Sequence, residues 1–185
     1  MWLRKIGFFI LLGSWFFSFS QNEEPVIIWE ESNKLSWENF KEKPEPNSDA
    51  VAITASGITF QYAVQTSDNQ ITGFTTQVQT LFYPEKSWCK PERTNAHILS
   101  HEQLHFDITE WHARKFKQQI KALEISEKLP KNLDALYKNS IKDLNKMQDL
   151  YDSETDYSRK IEAQAKWQEQ VHKELTQLSN FKSSN

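Results

Sequence analysis

The hydrophobic period of this chain changes at Pro84, and that change decides the class of fold open to it. From residue 50 to 83 the period is two. Ile58, Phe60, Tyr62 and Val64 alternate with Thr59, Gln61 and Gln65, while Phe74, Val78 and Phe82 alternate with Thr75, Gln77 and Gln79. Successive strand side chains point to opposite faces, so the pattern predicts an antiparallel sheet with one face buried and the other wet. Thr66, Ser67, Asp68, Asn69 and Gln70 supply the turn between two of its strands. An earlier short strand is expected at Val26, Ile27, Ile28 and Trp29, which are β-branched or aromatic. The prolines and charges from residue 41 to 49 make a surface connection, held to the body by burial of Leu35, Trp37 and Phe40.

After Pro84 the period becomes helical. Ser87, Trp88, Cys89, Lys90 and Pro91 are expected to form a short loop. Thr94 then caps a long helix that runs to about Leu129, where Pro130 stops it. Leu133, Leu136, Tyr137, Ile141, Leu144, Met147 and Tyr151 repeat on a second helix, and Ile161, Trp167, Val171, Leu175 and Leu178 on a third. Between these lies an oxygen-rich stretch, Tyr151 to Ser158, in which Ser153 and Asp156 have the spacing of a helix-starting capping box. Residues 181–185 are expected to fray. The fold class is therefore α+β, a small antiparallel sheet packed on about three long helices.

The first long helix carries a chemistry. His101 and His105 are four residues apart, so both imidazoles leave the helix on one face and can share a metal ion, with Glu102 beside them. Zinc in such a site polarises a carbonyl and lowers the pKa of a water, whose proton the glutamate takes. A surface helix can also carry the pattern idly, and a catalytic zinc needs a third protein ligand that the motif does not supply. Ile98, His101, His105, Ile108, His112 and Phe116 fall on one stripe, which faces inward. His112 lies two turns past His105, about 10 Å along the axis, too far to join the same ion. It is read as a core histidine or as support for the ligands. Asp107 and Glu110 point away from the pair and are read as a solvated acidic face or a cross-helix salt bridge. A sheet beside such a helix either only builds core or offers a free edge to an extended substrate.

Residues 1–20 read as a secretory leader, with Arg4 and Lys5 before an apolar run and Ser18, Phe19 and Ser20 at the cleavage site. The run is shorter than the ~20 residues of a bilayer span, so no stable membrane span is expected after cleavage. Roughly 165 residues would remain, enough for one domain over residues 21–180. Losing Arg4 and Lys5 makes the formal charge of −3 more negative by two, which gives no sign of a nucleic-acid partner. One cysteine, Cys89, excludes an internal disulfide framework and is expected to be a buried thiol.

Several stretches together resemble a family of bacterial exported proteins numbered nine hundred and twenty-two among the domains of unknown function, grouped with the zincin-like peptidases. They are Lys34-Leu35-Ser36-Trp37-Glu38-Asn39-Phe40, the Ser87-Trp88 pair, residues 99–108 around His101 and His105, and Tyr151-Asp152-Ser153-Glu154-Thr155, extended by Gln164 and Trp167. The resemblance implies a zincin-like fold and an exported, periplasmic or secreted zinc peptidase acting on a protein or peptide. His101 and His105 would be zinc ligands and Glu102 the base. The family pattern continues Thr-x-His-Gly, where this chain has Thr155, Asp156, Tyr157 and Ser158. Three outcomes are open for the third ligand: Tyr157 binds, Asp156 or Glu154 substitutes, or the site is incomplete. The last would make the chain a non-catalytic binding module of the cell envelope.

Overall fold

Alternation across Ser56–Phe82 builds a long hairpin, β3 (Ser56–Ser67) and β4 (Gln70–Phe82), in the computed structural model, which describes residues 24–182. The expected leader over residues 1–20 lies outside the described residues. The hairpin turns on Asp68 and Asn69, both with positive φ (51° and 61°), as the two-residue turn that matches strand twist requires. Register runs from Ser67 opposite Gln70 to Ser56 opposite Phe82, with an irregularity at Gln65/Thr66. Ile58, Phe60, Val78 and Thr80 therefore share a face, and that face meets the helices. Val64, further out, is 38% exposed, so the expected buried face covers only the proximal half of the hairpin. A short β1 (Ile27–Ile28) adds to β4, giving the order β1-β4-β3. The expected loop at Trp88 and Cys89 is instead a two-residue strand, β5 (Trp88–Cys89), paired antiparallel with β2 (Ala52–Ile53).

Helix α1 (Ala96–Lys121) runs through the middle of the molecule, against the sheet on one side and two further helices on the others. Its cap is Asn95, whose side chain accepts from the Ile98 N–H at 2.9 Å. Thr94, the expected cap, instead donates its hydroxyl to the Pro91 carbonyl. The helix ends at Lys121, earlier than expected. Pro130 does not stop it but sits in the first turn of α2 (Leu129–Thr155), where the missing N–H has no helical partner to lose. Ser153 and Asp156 likewise do not start a helix: Ser153 lies in the last turn of α2 and Asp156 ends it in the left-handed region. Helix α3 (Ile161–Gln177) follows. Of the tail expected to fray, Phe181 closes a 3-10 turn and packs on the core and Lys182 pairs with Glu31 at 3.0 Å, while residues 183–185 lie outside the described residues.

The main core joins Ile58 and Val78 to Leu104, Ile108, Phe116, Leu133, Leu144, Tyr151, Trp167 and Val171. A second cluster, around Trp29, Phe40, Phe82, Cys89 and Phe106, holds the N-terminal segment to the other side of α1. Cys89 is a buried free thiol, and burial pushes its pKa up. Glu110 is fully buried and is no part of a solvated face. It accepts from Arg114 Nε and Thr80 Oγ1, both at 2.8 Å. Removing the Glu110 charge would leave the buried Arg114 without its carboxylate, at a cost of about 3–5 kcal/mol. Among the described residues, no helix is long and apolar enough to cross a membrane.

Candidate metal centre

One turn apart on α1, His101 and His105 aim their Nε2 atoms at the same point, 3.2 Å from each other. The last turns of α2 cross there and bring the Asp152 Oδ1 to 3.1 Å from both nitrogens. The three atoms form a nearly equilateral triangle. Ligands held about 2.0–2.1 Å from a tetrahedral zinc are roughly 3.3 Å apart, so these residues fit three corners of such a site with small adjustment. Two imidazoles and a carboxylate are also a donor set that zinc accepts in catalytic sites.

The surroundings prepare these atoms. Gln148, one turn before Asp152 on α2, gives its amide N–H to the His105 carbonyl at 2.9 Å and to Thr109 Oγ1 at 3.2 Å. Its Oε1 must then accept from His105 Nδ1, at 2.6 Å. In the neutral ring a proton on Nδ1 leaves a lone pair on Nε2, the atom that faces the other two. Tyr151 is fully buried and its ring stacks on His101 (4.5 Å between centroids, 25°) and meets the edge of His105 (4.9 Å, 71°). Both imidazole planes are thus set by packing. Burial pushes the Tyr151 phenol far up, so it stays protonated and acts as a wall.

Electrostatics favour a cation at this point. Burial opposes charge on Asp152, but the hydrogen bonds from His101 and His105 outweigh it and hold the carboxyl well below the usual range. Burial likewise works against a charged His105, yet the bond to Asp152 and the field of Glu102 raise its pKa. The triangle attracts positive charge that it can receive as protons or as a metal.

The open side of the triangle faces a cleft of about 810 Å³. Glu102 is on its wall, nearly buried, and its carboxylate takes no hydrogen bond from the described residues. Residues 49–56, including β2, form the opposite wall, tied to α1 by the Thr54 hydroxyl on the Glu102 carbonyl at 3.3 Å. β2 is paired only to β5, so one edge of it carries no strand among the described residues.

The three residues considered from sequence as third ligand are dispersed. The Glu154 carboxylate turns away to accept from the Trp167 indole at 2.8 Å. Asp156 pairs with Arg159 at 3.3 Å. Tyr157 lines the rim of the cleft and is 64% exposed. Asp152 takes the place next to the histidines. Its signal was present: Leu144, Gln148, Tyr151 and Thr155 mark the face of α2 that packs on α1, and polar residues on a buried helical stripe need partners. His112 is buried away from the triangle, and burial lowers its pKa to about 4. Asp107 accepts from the Trp29 indole at 2.7 Å and pairs with Lys34 at 3.5 Å, on the other side of α1.

A family model described as "Bacterial protein of unknown function (DUF922)" matches residues 32–159. The chain belongs to this family. The DUF922 match starts before β2 and ends just after α2, so it takes in both walls of the cleft and all three corners of the triangle. α3 lies beyond it. No curated protein and no solved structure matches the chain.

Proposed function

We propose that the chain is a zinc-dependent peptidase of zincin type, with His101, His105 and Asp152 as the protein ligands and Glu102 as the general base. The observation that carries this reading is the triangle of Nε2, Nε2 and Oδ1 open to a cleft that also holds a free carboxylate. Zinc bound there would supply Lewis acidity, polarising the scissile carbonyl and acidifying a water. Glu102 accepts that water's proton and passes it to the leaving amine. Gln148 holds the His105 imidazole in the productive tautomer and orientation, and Tyr151 keeps water from behind both rings. The unpaired edge of β2 offers main-chain partners to an extended peptide, which favours a protein or peptide substrate. Export follows from the leader read in residues 1–20.

The test is zinc content with cleavage of a generic protein such as casein. The mature chain is expected to bind one zinc per molecule and to lose it in His101→Ala. Glu102→Gln should keep the metal and lose hydrolysis. Zinc binding below about a tenth of an equivalent, unchanged by His101→Ala, would sink the reading. A second reading, a binding module without catalysis, draws on Tyr157 standing where the family pattern has histidine. It predicts no cleavage by the unaltered chain at any zinc occupancy.

A further inference from the structure

Helix α1 carries a second cavity on the face opposite the histidines, about 600 Å³ in volume, between the N-terminal segment and α3. Its size is within the roughly 300–1,000 Å³ of small-molecule sites. Leu99, Leu104, Val171 and Leu175 supply apolar wall. The polar side is built around Arg114, which is only 3% exposed. Its Nε is committed to Glu110 and its Nη1 to the Leu175 carbonyl. Nη2, with two N–H groups, has no partner. The Trp29 ring covers the guanidinium at 5.1 Å, and Trp29 is itself fixed by its indole N–H on Asp107. Lys34 and Lys182 stand at the mouth, each already paired with one carboxylate. A buried arginine nitrogen without an acceptor costs on the order of 1–3 kcal/mol; Nη2 is covered by its neighbours, so an oxygen anion in the cavity removes that cost by shifting the side chains that cover it.

We propose that this cavity binds a small carboxylate carried on an apolar body, the head received by Arg114 and the body lying on Leu99, Val171 and Leu175. Asp107 and Glu31 line the same cavity and balance Lys34 and Lys182, so the preference for an anion rests on Arg114. Two sources share this chemistry, a free alkyl acid and the C-terminal residue of a peptide. The site lies across α1 from the metal triangle and does not depend on the peptidase reading.

Calorimetric titration of the full chain tests it, with octanoate and N-acetyl-leucine as probes and 1-octanol and N-acetyl-leucinamide as their uncharged matches. At least one acid should bind one to one with Kd below about 1 mM, and its uncharged match at least about tenfold more weakly. Which acid binds names the source. Arg114→Lys keeps a charge for Glu110 but removes the fork, and Leu99→Trp fills the cavity without touching charge. Each should weaken binding about tenfold or more, and Lys182→Glu a few-fold. Circular dichroism reports folding; if Arg114→Lys fails to fold, Leu99→Trp and Lys182→Glu decide. No binding of either acid up to about 10 mM, equal binding of the uncharged matches, or unchanged binding in Leu99→Trp would overturn the proposal.

Discussion

Gln148 fixes which nitrogen of His105 is available, because its amide N–H groups are already spent on the His105 carbonyl and Thr109. Its carbonyl oxygen can then only accept. Gln148→Ala should therefore weaken zinc affinity by about 10–100-fold while leaving the fold intact, as competition with a chelating dye would measure. Wild-type affinity in that variant would mean that packing on Tyr151 alone orients the ring. His112 supports a different prediction. Its pKa falls from 6.5 to about 4 because it is buried, with Lys115 on its own helix adding to the effect and Asp143 on α2 opposing it. Between these values the unfolded chain binds a proton that the folded chain does not. Stability is full above pH 6.5 and declines by about 3 kcal/mol as pH falls to about 4. His112→Leu should flatten that limb of the urea midpoint against pH; an unchanged limb would assign it to other groups. At this scale the sequence was legible where spacing sets direction, as in the meeting of His101 and His105 on one face of α1. It was not legible at Asp152, which reaches the site only through the crossing of α2 over α1.

The elements were legible in kind more than in their ends. Hydrophobic period gave the hairpin and the three helices because burial selects one face of each. Ends depend on single side chains and on φ. Asn95 and Thr94 are both good caps by chemistry, and only the local backbone decides that Asn95 reaches the Ile98 N–H. Pro130 is compatible with stopping one helix or starting the next. The end of α2 is the most strained stretch, with Asp156, Tyr157 and Ser158 all at positive φ (49°, 52° and 73°). The turn is closed by the Tyr157 N–H on the Asp152 carbonyl at 2.9 Å and by the contact between the His97 ring and the Ser158 carbonyl at 2.7 Å. The Tyr157 N–H bond ties Asp152, the third corner of the triangle, directly to the turn. Ser158→Gly should relieve one left-handed residue and raise stability by about 1 kcal/mol, seen as a small rise in Tm. A fall in Tm would mean that the Ser158 side chain contributes more than its backbone strain costs.

Taken whole, the molecule places α1 between two cavities, one lined by His101, Glu102 and His105 and the other by Arg114. The sheet, α2 and α3 surround it, so both sites are held by the same core. The resemblance to a family of bacterial proteins of unknown function, read from residues between Lys34 and Thr155, agrees with the matched span of residues 32–159, and Gln164 and Trp167 lie beyond it. Which residue stands third beside the histidines was hidden, since Glu154 in the last turn of α2 and Asp156 and Tyr157 in the turn after it are directed elsewhere. Ligand binding to the folded chain alone must stabilise it, so zinc at about a hundred times its Kd should add about 2.7 kcal/mol and raise Tm by several degrees. The assignment of Asp152 is tested most directly by zinc affinity in two variants, Asp152→Ala and Tyr157→Phe, measured side by side with the unaltered chain. The geometry predicts a loss of about a hundredfold or more in the first and none in the second. Zinc retained in Asp152→Ala, or lost in Tyr157→Phe, would contradict it.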